Sequence, residues 1–592
     1  MRGCGYGVYF EECWRWHVSV SIEADMEWWW RHGVRRIWIR NRVKMSLGQA
    51  FEWREKYMEN QRLAPNEDEG EWLSCGTGEL LRRWDQRKYL RLVEALKGRC
   101  LLREEMEPFI LSRGLEMEEK EWLYYVQWGA LEGDVKLLQG VERVVGRRLF
   151  AGAFNLGGGG YGRGRKTPYR CIRCGSGEER LHRTLCPHCG TECPYCEACL
   201  TMGRVRFCGL LVQGVVRGCT DGGRVPRSYS GGADVKAKWG LSAAQAEAAR
   251  EALKFLQGGE KFGAGGNSFL LWAVTGAGKT EMMFPLIDDA LGRGGNVLIA
   301  TPRKDVVLEL EPRLKAAFPE ERIVTLYGGS RDRWESGSVI LATTHQLFRF
   351  REAFNLVVVD EIDAFPFHGD EQLLYAARAV CRPGGKFVLL SATPPKALRD
   401  LARRGKLAHA KVCVRFHRHP LPVPRRIRIP ALRRFAGNGL PDALRNALHR
   451  SLTRGAQVFV FVPHIGSIPP LVRTLRFAFP DVTVEGTSSR DEERSGKVER
   501  FRGKEIRVII TTTILERGVT VPKTDVFILD ADTPLFDDAS LIQMAGRAGR
   551  KLEDPQGNVY FCAPEWTRPQ RDAVRQICAM NSLARKKGYL VS

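Results

Sequence analysis

At 592 residues the chain is too long for a single hydrophobic core, and at roughly 150 residues per domain it implies about four units. Its 44% apolar and 27% charged residues are those of a folded globular protein, which excludes long disorder as the default. Lys and Arg total 92 against 69 Asp and Glu, and the net charge of +23 points to a polyanionic partner, nucleic acid or an acidic membrane face. No run approaches the roughly 18 apolar residues of a membrane span, and "MRGCGYGVYFEECWRW" holds no apolar export core, so the expected compartment is the cytoplasm.

Residues 1–155 hold 11 of the 15 Trp, set in charged stretches such as "SLGQAFEWREKYMENQRL". The spacing predicts a mainly helical domain with the tryptophans in its core, and no motif assigns it a role. The Gly-rich "NLGGGGYGRGRK" at 155–166 has the composition of a linker. A cysteine-rich module follows over 156–220, with Cys171, Cys174, Cys186, Cys189, Cys193, Cys196 and Cys199 in close succession and Cys208 beyond them. In a reducing compartment such thiols are metal ligands rather than disulfides. A C-x-x-C turn places two thiolates on one ion. Cys171/Cys174 and Cys186/Cys189 form two such pairs, while Cys193, Cys196 and Cys199 overlap and cannot form two independent ones. The spacing leaves open one Cys₄ zinc with spare thiols, or two zincs whose eighth ligand comes from His182, His188 or Cys208. The difficulty of ordering seven thiols in so small a module favours two. "DGGRVPRSYSGGADVKAK" at 221–238 reads as a second connector.

From about 239 the texture changes to short apolar runs alternating with amphipathic stretches: "SFLLWAV", "NVLIAT", "SVILATT", "LVVVDE", "FVLLSAT". These predict buried parallel strands in βαβ units, a first α/β lobe over 239–415. "SFLLWAV" runs into "TGAGKTE", the strand, glycine turn and helix order of a phosphate-binding loop. Thr275, Gly276, Ala277 and Gly278 would cradle phosphates, Lys279 would neutralise them, and Thr280 would hold Mg²⁺. Ala273 stands where the usual pattern has its first glycine. At the end of "LVVVDEID", Asp360 is expected to take Mg²⁺ through water and Glu361 to polarise the attacking water, with Asp363 read as solvation or a cap. Both elements together predict ATP hydrolysis. The second series "QVFVFVP", "VTVEGT", "IRVIITTT", "VFILDA" predicts a second lobe over 416–552, and 553–592 a helical extension. In "QMAGRAGR", Gln543 precedes Arg547 and Arg550, which lie three apart on a predicted helix and share a face, so both are expected to reach a γ-phosphate held by the other lobe.

The D-E-x-D form and the motifs around it resemble the superfamily 2 helicases and translocases, whose core is two RecA-like parallel-sheet lobes. That resemblance implies that Gln245 in "LSAAQ" reads adenine, that Gly518 in "ILERGVTVP" belongs to the nucleotide site, and that Thr301, Pro302, Arg303, Thr343, Thr344 and Thr511 touch the nucleic-acid backbone. "SAT" at 391–393 resembles the coupling motif. With "AVTGAGKTEM", "DDASLIQMAGRAGR", "QICAMNSLARKKGYL" and "CPYCEACLTMGR", residues 165–592 resemble the competence protein ComFA family. The resemblance implies an ATP-dependent single-stranded-DNA translocase at the inner face of the membrane that helps import transforming DNA, with a ComEC-type channel and a ComFC-type partner. It also favours a zinc site built from Cys171, Cys174 and the final C-x-x-C region. The alternatives are a PriA-like replication-restart helicase, whose zinc module interrupts the second half of its motor, and a non-catalytic DNA-binding scaffold. Here all the clustered cysteines precede Gln245.

Overall fold

A computed structural model of the chain describes residues 2–10, 13–40, 45–58, 70–75, 84–144, 169–217, 235–258, 266–364, 369–516 and 521–591. The Gly-rich stretch at 155–166, most of the connector at 221–238, and Gly518 lie outside these residues.

The first lobe is a seven-stranded, wholly parallel sheet. In space its strands run Ile323–Leu326, Val339–Thr343, Val297–Thr301, Phe354–Val359, Cys381–Ser391, Ser268–Ala273 and Ala408–Val412. Every residue of Ser268–Ala273, Val297–Thr301 and Val339–Thr343 is buried, because helices cover both faces of the sheet. The second lobe repeats the plan with six parallel strands in the order Arg425–Arg428, Val559–Ala563, Thr524–Leu529, Gln457–Phe461, Val508–Thr511 and Val484–Thr487. The Arg568–Lys586 helix closes the chain against the Asp538–Ala545 helix. Among the described residues no helix is long and apolar enough to cross a membrane.

The amino-terminal region carries helices, among them Ile22–Arg31, Leu47–Met58, Gln86–Leu96 and Glu119–Glu132. It also holds a five-stranded antiparallel sheet that a mainly helical reading leaves out. The reason is visible in "WRWHV" and "RIWIR", whose period of two is that of a half-buried strand. Trp16, Trp38 and Trp53 pack edge-on and stacked as one buried cluster, the core role expected of them.

The cysteine-rich segment is joined to its neighbours by sheet pairing. Leu210–Gly214 lies antiparallel between Cys100–Leu102 and Val135–Gln139, and Val141–Arg143 pairs with Tyr169–Cys171. It also docks on the first lobe. The Arg173 guanidinium, buried, donates to Glu105 (2.8 Å), to Met202 O (2.7 Å) and to Phe348 O (3.2 Å), while Arg349 of the lobe donates to the same Glu105 at 3.0 Å.

Candidate nucleotide and metal sites

The phosphate loop forms where the Ser268–Ala273 strand gives way to the Lys279–Gly292 helix. Gly276 and Gly278 take left-handed backbone conformations, φ 80° and 72°, which a side chain would resist and which wind the loop back onto the helix N-terminus. Ala273 is fully buried as the last residue of the strand, so its replacement of a glycine affects sheet packing and not the cradle.

Gln245 is bonded to the phosphate loop itself. Its amide nitrogen donates to Ala277 O (2.8 Å) and Gly278 O (3.2 Å), and its Oε1 accepts from the Ser242 amide at 2.8 Å. With both amide hydrogens given to the loop and only 1% of the residue exposed, Gln245 braces the cradle from behind. A Cβ on Gly278 would lie 2.4 Å from Gln245 Nε2 and 2.9 Å from Glu281 Oε2. Gly278→Ala should therefore strain the loop by about 1–3 kcal/mol and weaken nucleotide binding about tenfold or more in a folded protein. Titration with a fluorescent nucleotide measures this, and wild-type affinity would contradict it.

Lys279 Nζ lies 3.5 Å from Asp360 Oδ1, at the carboxyl end of the Phe354–Val359 strand. Burial pushes the Asp360 carboxyl above its ordinary value, Lys279 pulls it down, and Glu361 pushes it up again. The cation suited to phosphate and the carboxylate suited to Mg²⁺ thus satisfy each other, and Thr280, buried on the first helical turn, completes the donor set that fits Mg²⁺. Glu361 has φ 53°, a strained value for a residue with a Cβ, and its amide donates to Asp360 Oδ1 at 2.8 Å.

Asp363, half-buried, is tied into a network rather than left loose at the surface. It accepts from Ser391 Oγ (2.6 Å) and Thr393 Oγ1 (2.7 Å), and Gln543 of the second lobe donates to Asp363 Oδ2 (3.3 Å) and Thr393 Oγ1 (3.0 Å). The acidic strand end, the "SAT" segment and the arginine-bearing segment are therefore one hydrogen-bonded network across the lobes, and Asp363, Ser391 and Thr393 join the site. The D-E-x-D spacing was the available signal.

The two arginines do not share a helix. The Asp538–Ala545 helix ends before them with Gly546 as its cap, and Gly549 sits at φ 60°. Arg547, buried, donates through Nε to Glu516 O at 2.9 Å within its own lobe. At Arg550 burial pulls the guanidinium down, and Glu309 and Glu361 of the first lobe push it back up. A Cβ on Gly546 would lie 2.3 Å from Thr275 Oγ1, so the turn abuts the phosphate loop.

The residues expected to touch nucleic acid are largely enclosed. Thr301 and Thr343 are paired at the ends of adjacent parallel strands, and Thr301, Thr344 and Thr511 are wholly buried, as are Thr343 and Pro302 in the main. Arg303 is partly exposed, but it reaches across the lobes to Ile514 O (3.5 Å) and Glu516 (3.9 Å). The hydroxyls of Thr301, Thr344 and Thr511 are buried with no hydrogen-bond partner among the described residues.

The thiols fall into two sets of four, Cys171/Cys174/Cys196/Cys199 and Cys186/Cys189/Cys193/Cys208, each with its sulfurs within 4.8 Å of one another. Sulfur separations of 3.8 Å (Cys171–Cys199), 3.5 Å (Cys174–Cys196) and 3.7 Å (Cys186–Cys208) match the edge of about 3.8 Å that a tetrahedral ion imposes at about 2.3 Å from each thiolate. The donors therefore fit zinc. Two turns repeat the same construction. In "CIRCG" Gly175 N donates to Cys171 O and Cys171 N to Ser176 O, and in "CPHCG" Gly190 N donates to Cys186 O and Cys186 N to Thr191 O, all at 2.8–2.9 Å. Each turn needs its glycine, at φ 78° and 71°. Cys208, not His182 or His188, completes the second set, and His182 is instead 3.0 Å from Glu197.

Family models match the chain in three places: the competence protein ComFA N-terminal domain over 162–213, the type III restriction enzyme res subunit over 238–396, and the helicase conserved C-terminal domain over 439–551. Competence protein ComFA of Bacillus subtilis (strain 168) is 37% identical over 432 residues, spanning 71% of this chain and 87% of that protein. Competence protein ComFA of Streptococcus pneumoniae is 36% identical over 316 residues, 53% of this chain and 73% of that one. Among solved structures, S. cerevisiae Dbp5 bound to RNA and ADP BeF3 is 15% identical, with a TM-score of 0.40 over 60% of this chain and 99% of that one.

Proposed function

The chain belongs to the competence protein ComFA family and is an ATP-hydrolysing helicase or translocase, and from that premise we propose that it pulls single-stranded transforming DNA inward, at the cytoplasmic face of the membrane, through a ComEC-type channel and with a ComFC-type partner. The observation that supports the motor part is the Asp363–Thr393–Gln543 network, which ties the acidic strand end to the second lobe. MgATP would sit between Lys279, Thr280, Asp360 and the Gly546–Arg550 turn. Lys279 neutralises phosphate charge, Glu361 orients water, and Arg550 answers the charge that develops on the transferred group. Hydrolysis removes what holds the lobes together, and a strand gripped by both lobes advances because each nucleotide state grips it differently. Thr301, Thr343, Thr344 and Thr511 reach a strand only as the lobes part, while Pro302 and Arg303 border the same cleft.

Two zinc ions, one per cysteine set, are part of this reading. Bound zinc supplies folding energy to the module. Arg173 then transmits the order of the first turn to Glu105 and to Phe348, the latter a few residues from Thr344.

ATPase stimulation by single-stranded DNA, duplex DNA and RNA tests the substrate. Single-stranded DNA is expected to stimulate most, and stimulation by RNA alone would overturn the proposal. The net charge of +23 predicts that half-maximal stimulation needs far more DNA as salt is raised from about 50 to 200 mM.

A further inference from the structure

Arg415 belongs to none of the motifs, yet it joins the two halves of the nucleotide site. It lies just beyond the Ala408–Val412 strand, where the chain crosses to the second lobe, and is 1% exposed. Its Nη1 donates to Ala548 O at 2.6 Å and to Gly549 O, and its Nη2 lies 3.4 Å from Gly546 O. These carbonyls need a donor because the Asp538–Ala545 helix stops before them. On its other side the residue backs the phosphate loop. A Cβ on Gly276 would lie 3.5 Å from Arg415 Cδ, and the next amide, Phe416 N, donates to Gly276 O at 3.1 Å. With Thr275 and Gly546 it lines a cavity of about 30 Å³ between the lobes.

Among the described residues no carboxylate pairs with its charge. Its hydrogen-bond partners are carbonyls, its Nε is buried without a partner among the described residues, and burial, with the neighbouring cation Arg550, pulls the guanidinium down to about 9. A buried guanidinium without a carboxylate is costly and persists where something else supplies negative charge. The phosphates of a nucleotide would lie just across Gly276.

We propose that Arg415 is a positioning residue that holds the Gly546–Arg550 turn against the phosphate loop and whose charge is balanced only by bound nucleotide phosphates, making lobe closure responsive to nucleotide. The inference rests on the reading of Arg550 as the group that stabilises phosphoryl transfer.

The test compares the full-length protein with Arg415→Gln, Arg415→Lys and Arg550→Ala, measuring kcat and KM for ATP and the melting temperature with and without ADP. Arg415→Gln should lower kcat by about ten- to a hundredfold, less than the roughly 10³-fold or more expected when a transition-state arginine itself is removed, with KM changed less than about threefold. It should also lose most of the ADP-induced rise in melting temperature. Arg415→Lys keeps the charge but not the fork, so it should regain the ADP response while kcat stays low. Wild-type kcat in a folded Arg415→Gln, or in Arg415→Lys should the glutamine variant not fold, overturns the inference, as does a lower melting temperature with kcat and the ADP response intact. If Arg550→Ala also leaves kcat intact, the arginine reading itself has failed. A low kcat in Arg550→Ala beside wild-type Arg415 variants removes this inference alone.

Discussion

Lys279→Ala and Glu361→Gln are each expected to reduce DNA-stimulated ATP hydrolysis by at least about 10³-fold in a protein that still folds. The two losses have different causes. Lys279 is held 3.5 Å from Asp360, and its removal leaves that buried carboxylate without the cation that offsets its burial. Nucleotide binding should then fall, and Asp360 should protonate more readily. Glu361→Gln keeps the hydrogen bond from its own amide to Asp360 and so keeps the turn, but a neutral amide does not polarise water. This variant should therefore bind ATP with near-normal affinity and trap the closed state. Steady-state hydrolysis together with fluorescent-nucleotide binding separates the cases, and full activity in both variants would sink the mechanism.

Purified protein is expected to carry two zinc ions per chain, falling to one in Cys208→Ser, because Cys208 serves only the second set of thiols. Stripping the metal should unfold the module, since structural zinc supplies about 10–16 kcal/mol of apparent binding free energy in small zinc domains. The consequences should differ by site. Cys171→Ser disturbs the turn whose Ile172 carbonyl accepts from Tyr375 and Arg351 at 3.1 Å and whose Arg173 is buried against the first lobe. DNA stimulation should fall with it. Cys186 and Cys189 belong to a turn whose neighbours Leu185 and His188 are exposed, so their loss should leave basal hydrolysis unchanged. Metal analysis alongside ATPase assays checks both claims, and one zinc per wild-type chain would refute the two-site arrangement.

Much of the motor was legible because its chemistry is local in sequence. The glycine turn between strand and helix needs Gly276, Gly278 and Lys279 within a few residues, and a buried parallel strand announces itself as a continuous apolar run before Asp360. Legibility stopped where a residue's role depends on a partner far along the chain. Asp363 looks like a loop acid until Ser391, Thr393 and Gln543 are brought to it. Gln245 has the chemistry to read a base, and only the packing of its helix behind the loop shows that its hydrogens are already given away. Arg547 and Arg550 looked like one helical face because spacing does not reveal that the helix ends at Ala545.

The cysteines divide the two kinds of knowledge most sharply. Sequence alone pointed to metal ligands in thiols of this number and spacing, and paired Cys171 with Cys174 and Cys186 with Cys189, because a C-x-x-C turn is a local structure. It could not divide "CPYCEAC". Read as a turn, Cys193 and Cys196 would share an ion. The tertiary structure makes Glu192–Cys196 a strand paired with Leu181–Leu185, and side chains three apart on a strand point to opposite faces. Cys193 therefore turns to Cys186, Cys189 and Cys208, and Cys196 to Cys171, Cys174 and Cys199. Which thiols share a site was settled by a strand pairing that only the folded chain contains.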